Sequence, residues 1–120
     1  MSSADREKLV AVLIRRAPLG SERVAEALRV AVGQTLASQR VAVVFIDDGV
    51  WAATRLNPKA VRGGDFAKPI ETLAMLEHRL IADEDSLGAR GIHEVVSGIE
   101  VQPRAEVFGL LAEADTIISY

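Results

Sequence analysis

The sequence predicts an α/β domain in three layers, α/β/α, with helices on both sides of a five-stranded parallel sheet. Three observations carry that prediction. Val41–Ile46 is a run of six apolar residues ending at Asp47-Asp48-Gly49. An unbroken apolar run of strand length describes a strand buried on both faces, as in a parallel sheet covered by helices. Similar runs recur along the chain in the rhythm β-α-β-α-β-α-β-α-β. The segment between the first two runs, Ser21–Ser38, has the length and periodicity of a crossover helix, which makes the first unit a right-handed βαβ.

The first strand is read over Lys8–Ile14, stopped by Arg15-Arg16 and the breaker Pro18-Leu19-Gly20. Ser21 suits the N-cap of the next helix, and Glu22 favours the positive end of its dipole. Val24, Leu28, Val32 and Leu36, four residues apart, mark its apolar face. After the second strand, Val41–Ile46, a short helix is expected over Val50–Arg55. Asn57–Pro69 holds two prolines, Gly63-Gly64 and three basic residues, and reads as a loop. Pro69 fits the first turn of a helix through about His78, with Ile70, Leu73 and Leu76 or Glu77 on one face. Arg79–Ala82 is the third strand, Asp85–Arg90 a short helix closed by Gly91, and Ile99–Val101 the fourth strand. Pro103 opens a helix through Glu113 with Val107, Phe108 and Leu111 inward, and Thr116–Ser119 closes the sheet. No repeat or low-complexity tract interrupts the pattern, so residues 1–120 read as a single domain.

Composition narrows the function. The net charge of −3 argues against wholesale electrostatic binding to nucleic acid. The charge is uneven: residues 1–60 hold nine Lys/Arg against six Asp/Glu, and residues 61–120 five against eleven. Such asymmetry could orient an assembly of several chains, although folding intermingles the two halves. The 120 residues include no cysteine, which excludes disulfides, thiolate metal sites and cysteine nucleophiles. The opening segment Met1–Lys8 carries acidic residues, and Leu9–Ile14 is too short for a signal-peptide core or a membrane span, so a cytoplasmic setting is expected.

In open α/β sheets ligands gather outside the carboxyl ends of the strands. Residues just past the predicted strands therefore form the candidate ligand edge: Arg15, Arg16, Ser21, Asp47, Asp48, Gly49, Asp83 and Ser86. Its carboxylates could hold Mg²⁺, but Asp also caps helices and stops strands, and no metal or cofactor is assigned. A response-regulator receiver places its acidic pair after the first strand, where this chain has Arg15-Arg16. Ala17–Ser21 leads into a helix N-terminus able to cradle an anion, yet an ordinary strand-to-helix turn explains it, and no Walker or Gly-x-Gly-x-x-Gly sequence occurs. His78 and His93 lack ligand spacing, and His78 sits where a cation suits a helix end. No residue stands out as a nucleophile. Trp51, the sole tryptophan, either covers one end of the core or anchors a subunit contact. Tyr120, with Ile117 and Ile118 in an apolar terminus, is a second candidate interface residue. Phe66 adds to the apolar surface that would favour assembly.

Three stretches, taken together, resemble the DsrE/DsrF-like family, which includes the Tus sulfur-relay proteins. They are the first strand with Ile14-Arg15-Arg16-Ala17-Pro18-Leu19-Gly20-Ser21, the stretch Val43-Val44-Phe45-Ile46-Asp47-Asp48-Gly49-Val50, and the terminus Leu110–Tyr120. Ser86-Leu87-Gly88-Ala89-Arg90-Gly91-Ile92 adds a fourth, looser match. The resemblance spans nearly the whole chain and implies a five-stranded parallel sheet between helices. It also implies assembly into trimers or hexamers, homomeric or built with cysteine-bearing members of the family. Active members carry persulfide sulfur on a cysteine just after the third strand, a position that falls near Asp83. A carboxylate cannot hold a persulfide. The resemblance thus points to the cysteine-free, DsrF- or TusC-like type of subunit, a non-catalytic support for a sulfur relay. Two competing expectations are a homo-oligomeric small-ligand binder and a Mg²⁺-dependent hydrolase.

Overall fold

The computed structural model describes residues 8–18, 22–36, 39–54 and 67–120. β1 (Leu9–Ile14) and β2 (Arg40–Phe45) run side by side in parallel, with Val10 opposite Val41 and Leu13 opposite Val44. β3 (Arg79–Asp83) lies beyond β2 and β4 (Glu100–Gln102) beyond β3, while β5 (Thr116–Ser119) returns to the other side of β1. The sheet order is therefore β4-β3-β2-β1-β5, and every pair is parallel. The helices are α1 (Arg23–Thr35), α2 (Ala67–Met75), α3 (Glu84–Ala89) and α4 (Arg104–Glu113), with a 3₁₀ helix over Asp47–Ala53.

Handedness explains how the layers are filled. The steps from β1 to β4 all move the same way across the sheet, so right-handed crossovers place their helices on one face. The return from β4 to β5 runs the opposite way and places α4 on the other. The core divides accordingly, because alternate strand residues point to opposite faces. Val12, Ile14, Val43, Phe45 and Leu80 pack with Val24 and Leu28 of α1 and Ile70 and Leu73 of α2. Val44 and Ile81 pack with Val107 of α4 on the opposite face, with Leu13, Leu110 and Leu111 partly buried around them. All six residues of Val41–Ile46 are buried, and β2 is the middle strand, as its sequence predicts.

The departures are local and have local causes. The helix expected over Val50–Arg55 is a 3₁₀ helix that begins earlier, at Asp47. α1 ends at Thr35, so Leu36 falls off its apolar stripe and is 87% exposed, while Ala31 completes the buried face. α2 stops at Met75, not His78. Glu77 takes a left-handed φ of 63°, and the His78 N–H donates to Leu73 O while the Glu77 N–H donates to Ala74 O. This is a Schellman ending, and it leaves Leu76 exposed. α3 ends the same way on Gly91, the residue expected to close it. In α4 Val107 is buried, but Phe108 is 52% exposed and Leu110 packs inward with Leu111. The apolar residues of that helix do not gather on one stripe, so spacing alone could not select its inner face. The expected N-cap Ser21, the loop residues 57–66 and Phe66 lie outside the described residues. Among the described residues no helix is long and apolar enough to cross a membrane.

Candidate functional site at the carboxyl edge of the sheet

Asp83 is the last residue of β3 and the N-cap of α3, and it is fully buried. Its Oδ2 accepts hydrogen bonds from the Ser86 N–H at 3.1 Å and the Ser86 hydroxyl at 2.6 Å. Arg104, the first residue of α4, donates to the same oxygen through Nε at 3.2 Å and Nη2 at 2.6 Å. The Ser86 hydroxyl oxygen also accepts from the Asp47 N–H at 2.9 Å and from Arg104 Nη2 at 3.2 Å. One hydroxyl thus joins β3, α3, α4 and the 3₁₀ helix. Burial pushes the Asp83 carboxyl up, but the hydrogen bonds from Arg104 and Ser86 outweigh it and hold the group below the usual carboxylate range. The hydrogen bond to Asp83 raises Arg104 in turn. Asp83 Oδ1 is buried and has no hydrogen-bond partner.

Asp47 and Asp48 open the 3₁₀ helix, and Asp47 sits at φ 53°, a left-handed conformation that Asp tolerates better than most residues. Its carboxylate lies 3.6 Å from Arg15 Nε, with both groups about half exposed. Asp48 is paired with Arg90 at the end of α3, at 3.0 Å from Nε and 2.9 Å from Nη2. Gly49 presses against the end of β1, where the Ile46 N–H donates to Ile14 O at 3.0 Å. A Cβ on Gly49 would overlap that carbonyl oxygen, so only glycine fits. Trp51, on the same helix, is 38% exposed. Tyr120 is half-buried against the larger core, its N–H donating to Leu13 O and its carbonyl accepting from the Arg15 N–H at 2.9 Å.

The predicted ligand edge thus separates into two parts. Asp83 and Ser86 form a closed cluster under Arg104. Arg15, Arg16, Asp47 and Asp48 line an open concavity of about 450 Å³ with Arg23, Ser119 and Tyr120. Gly49 is a packing residue between the two, and Ser21 lies outside the described residues. The sequence reading missed Arg104, Arg90 and Arg23. Arg104 could have been found by the same rule that found the others, since it lies just past the fourth strand as Asp83 lies just past the third strand predicted over Arg79–Ala82. Among the described residues no three His, Asp or Glu side chains converge as a metal cluster would require. His78 lies past the end of α2, and its Nδ1 accepts the Val41 N–H at 3.1 Å, tying that end to β2. His93 is exposed.

Comparison with known proteins agrees with the fold and extends it. Structurally the chain is similar to the ychN protein from E. coli, with a TM-score of 0.80 at 22% identity, covering 96% of this chain and 100% of the other. It is also similar to MTH1491, a protein of unknown function from Methanobacterium thermoautotrophicum, with a TM-score of 0.69 at 17% identity over 96% of this chain and 100% of the other. These likenesses speak for the fold alone. In sequence the chain is 32% identical over 126 aligned positions to the intracellular sulfur oxidation protein DsrF of Allochromatium vinosum, spanning 90% of this chain and 93% of that one. The model of the DsrE/DsrF-like family matches residues 8–120, and the chain belongs to that family.

Proposed function

We propose that this chain is a non-catalytic, DsrF-like subunit that oligomerises and supports a persulfide relay carried by a thiol-bearing partner. The likeness to a protein named for intracellular sulfur oxidation supplies the setting. The observation that carries the reading is Asp83. On our reading of the family's pattern the sulfur-carrying cysteine would fall near this position; the residue is instead a buried carboxylate bound by Ser86 and Arg104, and the chain has no cysteine elsewhere. Sulfur transfer needs a nucleophilic thiolate, so the subunit's contribution is architectural. Exposed apolar side chains support assembly: Trp51 on the 3₁₀ helix, Phe108 on the outer side of α4 and Ile117 on β5. A cytoplasmic location accords with this role.

Purification from the native host under non-denaturing conditions tests the proposal. The expected result is co-elution with a cysteine-bearing member of the same family, in a complex of trimeric or hexameric mass. Recovery of this chain alone would overturn the heteromeric version, and persulfide transfer by the isolated chain would overturn the non-catalytic role.

A further inference from the structure

The open half of the carboxyl edge has features that the architectural role does not require. We propose that the concavity at the ends of β1, β2 and β5 binds an oxyanion group of the sulfate or phosphate type, held by Arg15, Arg16 and Arg23. Three observations converge on it. First, Arg15, Arg16 and Arg23 line one concavity of about 450 Å³, within the size range of small-ligand sites. Arg16 is exposed and makes no ion pair or hydrogen bond among the described residues, and the Arg15 pairing with Asp47 is loose at 3.6 Å. Planar guanidinium donors suit oxyanions better than any other side chain.

Second, α1 begins at Arg23, so its positive end opens on the same place, and the Glu22 side chain makes no capping hydrogen bond there. Third, the concavity lies where the strand order reverses, between β1 and β5, the position at which open α/β sheets hold ligands. Two carboxylates also line it. Asp48 is compensated by Arg90, which approaches from α3. Asp47, loosely paired with Arg15, is the other carboxylate among the described lining residues, and it gives the site a testable sign. A free inorganic oxyanion and a phosphate or sulfonate on an organic carrier share this chemistry, and the concavity has room for either.

The test uses the full chain at constant ionic strength set with sodium chloride. Binding of sodium sulfate, sodium phosphate and phenyl phosphate is followed by calorimetry and by amide chemical shifts. Saturable binding is expected, with shifts centred on residues 15, 16 and 23. Arg16→Gln should weaken it about tenfold, the loss of one charge-assisted contact. Asp47→Asn, which tolerates the same positive φ, should tighten it severalfold. Tighter binding of phenyl phosphate assigns the site to a carrier's head group, whereas equal or weaker binding assigns it to the free ion. Shifts that chloride reproduces, or affinities unmoved by both substitutions, would overturn the proposal. Neither outcome bears on the relay role.

Discussion

Replacing Ser86 by alanine removes a single oxygen and three hydrogen bonds. Ser86 is 2% exposed, so water does not take the place of the lost hydroxyl. The bond to the ionised Asp83 is worth about 1.5–3 kcal/mol, in the range for hydrogen bonds to charged groups. The Asp47 N–H loses its acceptor, which costs about 1 kcal/mol because Asp47 is only half-buried. Arg104 keeps its bonds to Asp83 and adds little. Ser86→Ala should therefore destabilise the fold by about 3 kcal/mol.

Urea unfolding followed by the fluorescence of the sole tryptophan, at matched protein concentration, measures that loss. Its pH dependence is a second check. The folded Asp83 carboxyl lies below its unfolded value of about 3.9, so it stabilises the fold above that pH, and the contribution disappears as pH falls through the folded value. Removing one donor shrinks the depression. The gap between wild type and variant should then be widest above about pH 4 and narrow in more acidic solution. A loss under about 1 kcal/mol, or a gap that does not change with pH, would refute the view that Ser86 stabilises an ionised, buried Asp83.

Gly49→Ala forces a methyl group into the Ile14 carbonyl, and the backbone cannot yield without breaking the Ile46–Ile14 hydrogen bond. It should cost about 3 kcal/mol or more in the same unfolding assay. Glu77→Gly removes the steric cost of the left-handed residue that ends α2 and should raise stability by about 0.5–1 kcal/mol, seen as a higher melting temperature. Trp51→Ala should weaken self-assembly or partner assembly about thirtyfold, the loss of one buried aromatic anchor, while lowering folding stability less. Sedimentation velocity and urea unfolding on one sample separate the two effects, and an unchanged sedimentation profile would remove Trp51 from the interface.

The fold was legible because its signals are large and local. A six-residue apolar run can only be buried on both faces, and Gly91 announces the end of α3 in its own chemistry. The end of α2 was hidden because its left-handed position is filled by Glu77, which carries no such signal. Phe108 was placed inward because the apolar residues of α4 are spread around the helix and offer no single stripe to orient it. The site was half legible for a different reason. Asp83, Ser86, Arg15, Arg16, Asp47 and Asp48 each lie at or just past the end of a strand and were found by position. Arg90 and Arg104, which answer two of those carboxylates, reach the edge from the end of one helix and the start of another, and their pairings span 42 and 21 positions. The acids that suggested a metal site are, in the folded chain, mostly partners of arginine.

The placement of β5 also governs how the chain is made. β1 to β4 add to the sheet in the order of synthesis, each beside its predecessor. β5 pairs with β1 instead, and the Leu9 N–H donates to the Asp115 carboxylate at 2.8 Å across 106 positions. Until residues 115–119 leave the ribosome, Val10–Leu13 remains an apolar strand edge with no neighbour on one side, and α4 has not yet closed its face. The nascent domain thus carries an adhesive edge for nearly the whole of its synthesis. Removal of the last strand should yield a chain that pairs with copies of itself, however well the first four strands have formed.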